Sequence, residues 1–158
     1  MREVVSMMLA NKRYIGLGSA DGLLATLGTC LAAFGLGLNP LTIGIAAAGG
    51  AFALTMTNSG GTYIGETAEN GHLNKKIISD ILSYGIFTAV GALFPLVPYF
   101  FIGDSFLATI GSVLSSLIGL IILGSLVGHE TKKGKLLTVV EFALIGIAIV
   151  LIIVFVGH

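Results

Sequence analysis

The sequence predicts an all-α membrane protein of five transmembrane helices, with its N-terminus in the cytoplasm and its C-terminus outside. Three observations predict it. Of 158 residues, 55% are hydrophobic and only 10% charged, against about 25% charged in an ordinary soluble domain. Five apolar runs, at 14–38, 41–65, 80–102, 105–127 and 136–156, each reach the roughly 20 residues that cross a hydrocarbon core of about 30 Å. The eight basic residues, Arg2, Lys12, Arg13, Lys75, Lys76, Lys132, Lys133 and Lys135, all precede the first run or fall in the 2–3 and 4–5 loops. The 1–2 and 3–4 turns hold no basic residue, only Asp104. Basic loops stay cytoplasmic, which sets the orientation.

Each element has local support. Residues 1–13 read as an interfacial segment, with Val4, Val5, Met8 and Leu9 on one face and Arg2, Lys12 and Arg13 at the headgroups. Glu3 and the shortness of the apolar patch argue against a cleavable leader. Residues 14–158 form the transmembrane domain. Its breaks are expected at Asn39-Pro40, at "ETAENGHLNKK", at the Pro95/Pro98 region with Gly103-Asp104, and at "GHETKKGK". Proline ends or kinks a helix by removing a donor, and connections this short make neighbouring helices antiparallel. "GTYIGET" and "GSLVGHET" end the second and fourth runs alike, which suggests a parallel duplication of helix pairs.

The 23 glycines fit lipid, where small residues let helix backbones approach. Gly18-x-x-x-Gly22, Gly61-x-x-x-Gly65 and Gly124-x-x-x-Gly128 are expected at helix–helix contacts. Zero net charge removes an electrostatic basis for binding nucleic acid. The single Cys30 lies in an apolar run and reads as a packing residue, and no zinc spacing exists. Neither a nucleophile–base pair nor a phosphate loop is present, so the chain is expected to be neither an enzyme nor the holder of a cofactor.

Function is sought in the intramembrane polar groups. Asp21 stands within the first run, where a charge costs about 2.5–3.5 kcal/mol even on insertion scales. Helix 2 offers Asn58, Thr62 and Glu66 at i, i+4 and i+8, which share a face. Oxygen donors beside a carboxylate suit a hard or borderline divalent cation, and Met56 would add a soft sulfur. Asp80 reads as an interfacial residue opening helix 3. Glu141 lies one turn into helix 5 among apolar neighbours, where it would protonate or pair with Lys135. His72 and His129 read as solvated loop residues.

Three segments resemble the vacuolar iron transporter family, which includes the yeast vacuolar iron and manganese carriers: "IGLGSADGLLATLGT" (15–29), "GGTYIGETAE" (60–69) and "GALFPLVPYFF" (91–101). The resemblance implies a homodimer that exports Fe²⁺ or Mn²⁺ from the cytosol in exchange for protons, along a path near the subunit interface. It carries Asp21 onto the family's first-helix aspartate, Tyr63 and Glu69 onto its second-helix motif, and Pro95 and Pro98 onto its prolines. The family's second-helix Asp, Met and Glu are replaced here by Leu54, Asn58 and Thr62, and its long acidic insert is absent.

The expectation is therefore a proton-coupled divalent-metal exporter in the lipid bilayer of a prokaryotic cell. Its metal set is Asp21, Asn58, Thr62, Glu66, Met56 and Glu69, and its structural residues are Gly18, Gly22, Gly61, Gly65, Pro95 and Pro98. The alternatives are a non-transporting membrane scaffold that kept the fold and a carrier of a different solute.

Overall fold

The computed structural model describes residues 12–128 continuously and, beyond them, residues 137, 140, 141, 144, 146–148 and 151. Four helices make up the continuous part: α1 (Lys12–Gly35), α2 (Pro40–Asn70), α3 (Lys75–Phe101) and α4 (Ser105–Gly128). All four are long and apolar enough to cross a membrane, and no strand occurs among the described residues. Nearly all of the 1–13 segment and more than half of the fifth run fall outside the described residues, as do His129 and Lys135. The described residues of the fifth run are helical.

Helix ends follow from local chemistry. Asn39 caps α2 by accepting from the Thr42 amide at 3.0 Å, and Pro40, which needs no donor, fills the first turn. Asn74 caps α3 through the Ile77 amide at 3.0 Å, and Asp104 caps α4 through the Leu107 amide at 2.8 Å. The turn after α1 and the end of α2 use Gly37 at φ 72° and Gly71 at φ 75°, left-handed conformations that suit glycine.

These caps shift three expected boundaries. α1 ends at Gly35, three residues before 38. α2 continues five residues past 65, so "ETAEN" is helix rather than break, and its 31 residues extend about 46 Å. α3 starts at Lys75 rather than 80, which moves Asp80 into the second turn. There Asp80 is 2% exposed, not the interfacial residue its position in the sequence suggests.

Pro95 and Pro98 neither end α3 nor open the turn, for the helix runs through both to Phe101. Pro98 has no N–H for the carbonyl of Phe94 one turn back. The Ser115 hydroxyl of α4 donates to that carbonyl at 2.6 Å, the kind of rescue that lets membrane helices carry proline.

α1 and α3 form a central pair, with α2 and α4 on opposite sides of it. The pair packs backbone against backbone. A Cβ at Gly18 would lie 2.6 Å from the Tyr84 carbonyl oxygen, one at Gly22 would overlap the Thr88 backbone, and one at Gly91 would overlap that of Ser19. Gly61 and Gly65, by contrast, have nothing within 4 Å, so the second glycine pair makes no helix contact among the described residues. Gly85 closes the α2–α3 contact, where an added methyl would meet the side chain of Ser59.

Cys30, Ala33, Ile43, Ala47, Ala51, Ala92, Leu96, Tyr99 and Ala108 fill the half of the bundle near the Asn39 and Asp104 turns. Tyr99 bonds Thr109 there at 2.9 Å. Leu23, Leu120 and Leu123 pack α1 on α4. The opposite half, between α1, α2 and α3, is left to polar groups.

Candidate functional site: a carboxylate held between three helices

Asp21 lies eight residues into the α1 span, about 12 Å from its start. Its side chain is part-buried and meets two other helices. Tyr84 of α3 donates its phenol to Asp21 Oδ2 at 2.5 Å, and Asn58 of α2 donates Nδ2 to the same oxygen at 3.5 Å. Asn58 Nδ2 also lies 3.3 Å from Thr88 Oγ1, whose own proton goes to the Tyr84 carbonyl at 2.8 Å. Oδ1 accepts no hydrogen bond among the described residues. Hydrogen bonds to a charged acceptor contribute about 1.5–3 kcal/mol, enough to offset the insertion cost of the acid.

The close α1–α3 contact is what permits this geometry. With glycine at 18 and 22, the backbone of Tyr84–Thr88 sits against α1, and the Tyr84 phenol reaches Asp21 along the groove.

Glu66 enters a second cluster nearer the end of the bundle. Tyr14 of α1 donates to Glu66 Oε1 at 2.6 Å, and Asn70 lies 3.4 Å from Oε2. The Tyr14 and Tyr84 rings are 5.7 Å apart between centroids and tilted by 40°, so the two acid–phenol pairs adjoin. The Arg13 guanidinium lies 5.8 Å from the Tyr14 ring centroid.

The other expected metal residues are placed differently. Thr62 is buried on the same face of α2, but its hydroxyl donates back to the Asn58 carbonyl at 2.8 Å. Met56 is 54% exposed and rotated about 200° from Asn58 round the helix, away from Asp21. Glu69 is exposed on the last turn of α2, and Tyr63 is 48% exposed. Among the described residues no three His, Cys, Asp or Glu side chains gather closely enough to hold a metal ion. Glu141 is part-buried on the helical fifth run and has an interaction partner.

Sequence reasoning overlooked Tyr84, Thr88 and Tyr14. An aromatic residue within a span reads as packing, and only the spacing of Tyr84 and Thr88, one helical turn apart, hints at a shared polar face.

A profile of the VIT family matches residues 76–158, slightly more than half of the chain. The protein belongs to the VIT family. Membership makes it an integral membrane protein of a metal-transporter family rather than of an enzyme family. A comparison with curated proteins found no match. The family match takes in α3 and α4, hence Tyr84, Thr88, Asp80 and both prolines of this VIT-family chain, while Asp21 and all of α2 lie upstream of it.

Proposed function

We propose that this protein exports a divalent cation of the Fe²⁺ or Mn²⁺ type from the cytosol, exchanging it for protons. The observation that carries the proposal is Asp21, an intramembrane carboxylate gripped on one oxygen by Tyr84 and Asn58, with its other oxygen accepting no hydrogen bond among the described residues. Carboxylates in such positions bind cations and protons alternately. Asp21 takes the cation, with the Thr88 hydroxyl nearby and Asn58 turning its amide oxygen inward in place of the Nδ2 that now faces both residues. An all-oxygen set of this kind suits Mn²⁺ or Fe²⁺ better than a thiophilic metal.

The orientation and the fifth span belong to the same proposal. The basic residues Arg13, Lys75 and Lys76 sit at the Glu66 end of the helices, and that end faces the cytoplasm. The apolar cluster around Ala47, Ala92 and Leu96 lies between the carboxylate and the opposite face.

Two copies complete the site. α2 is the least buried of the four spans, and Gly49 and Gly60 leave open space along one strip of it. Met56 shares that strip. A homodimer closing over it would bury Met56 of both subunits at their interface, which adds a soft ligand that a single subunit leaves on its surface. The short loop between α2 and α3 supports assignment to the cell membrane of a prokaryote.

A specific observation favours one rival, a scaffold that kept the fold. Leu54, Asn58 and Thr62 stand where the resembling family has Asp, Met and Glu, and no cluster of three strong ligands exists among the described residues. Liposomes containing the purified chain decide between the readings. The expected result is Mn²⁺ or Fe²⁺ uptake driven by a proton gradient and abolished by Asp21→Asn. Absence of flux for both metals would favour the scaffold.

A further inference from the structure

Glu66 is engaged on both carboxylate oxygens, by Tyr14 across the gap to α1 and by Asn70 on its own helix. Asp21, one phenol deeper, is engaged on one oxygen only among the described residues. The outer acid is thus tied shut, and the inner acid is oriented but open. The Tyr14–Glu66 bond joins residues 52 apart in sequence and bridges α1 and α2 at the end of the bundle. One turn below it on α2, on the same face, lies Thr62, 9% exposed. Gly61 and Gly65, flanking this part of α2, pack on nothing within 4 Å, so no backbone contact of theirs locks α2 in place.

We infer that Tyr14 and Glu66 form a latch between α1 and α2 that closes the route from the Glu66 end of the bundle to Asp21. That the latch gates a transported cation rests on the function proposed above; the latch itself does not. Its chemistry is a competition for Glu66 Oε1. The phenol proton occupies the lone pair that a divalent cation would take, so an arriving cation of high charge density displaces it, whereas K⁺, with weaker attraction for carboxylate oxygen, does not. Because the Tyr14 ring lies against the Tyr84 ring, its displacement loosens the phenol that holds Asp21.

The test is the accessibility of a cysteine at position 62. Cys30, the chain's other thiol, is 0% exposed and gives the blank. In the full chain reconstituted in liposomes, Thr62→Cys is treated with a charged methanethiosulfonate from the Glu66 side. Tyr14→Phe keeps the ring and removes the donor; Glu66→Ala removes the acceptor. Each is expected to speed labelling about tenfold, the effect of losing one hydrogen bond to a charged group. The two together are expected to do no more than either alone. Tyr63→Phe, an exposed phenol outside the network, is expected to leave the rate unchanged.

Unchanged labelling in Tyr14→Phe, acceleration in only one of the two variants, or additive effects would overturn the latch. Metal flux through the unmodified chain is measured in the same vesicles. Flux without accelerated labelling refutes the latch and leaves the exporter standing; accelerated labelling without flux does the reverse.

Discussion

Gly22 and Gly61 are the same residue in the same kind of motif, yet they occupy opposite environments. A methyl group at Gly22 would fall on the Thr88 backbone, which cannot retreat as a flexible side chain would. We expect Gly22→Ala to destabilise the protein by about 1–3 kcal/mol, read as a lowered melting temperature in detergent. Gly61→Ala and Gly65→Ala meet open space and are expected to be neutral to within about 0.5 kcal/mol. Thr88→Val removes one neighbour of Asn58 and is expected to cost about 1 kcal/mol by the same measurement. At this scale the sequence was legible where a residue type is costly in its setting. Asp21 stands out because a charge in a span demands a reason. Tyr14 and Tyr84 do not, since a phenol is at home in a membrane and only its partner across the bundle reveals what it does. Asp80 was misread because its burial depends on where α3 begins, and that is set by the cap at Asn74.

Helices were legible by length and apolarity, which membranes impose whatever the packing. Their ends and interruptions were less so. Proline is a stop signal in water, but in α3 the carbonyl freed by Pro98 is met by Ser115, 21 residues away. No pattern within one helix announces such a partner. Ser115→Ala is expected to cost about 1 kcal/mol by leaving the Phe94 carbonyl unsatisfied. In a Pro98→Ala background the helix supplies its own N–H, and the same serine substitution is expected to cost almost nothing. Thermal unfolding of the four proteins of this cycle measures the difference. The tight partner of α1 was also hidden. The glycines at 18 and 22 announce close packing, but the neighbour they meet is α3, two elements on, rather than α2.

For the whole molecule, the placement of the basic residues yields a sidedness that labelling can check. Because Cys30 is fully buried, single cysteines introduced at exposed loop positions report without interference. His72→Cys is expected to react with a membrane-impermeant maleimide only from the cytoplasmic side, and Gly103→Cys only from outside. The opposite pattern would invert the topology and, with it, the direction of the transport proposed above.

The length of α2 has a consequence for the lipid around it. Its apolar stretch, 40–65, measures about 39 Å at 1.5 Å per residue, some 9 Å more than an average hydrocarbon core of about 30 Å. Such an excess is taken up by leaning the helix, by about 40° if leaning alone absorbs it, or by thickening the surrounding bilayer. Long-chain phospholipids would let α2 stand upright, whereas short-chain ones would press it over against its neighbours. Acyl-chain length thus becomes a mechanical input to the protein, felt first at the one helix whose far end carries Glu66.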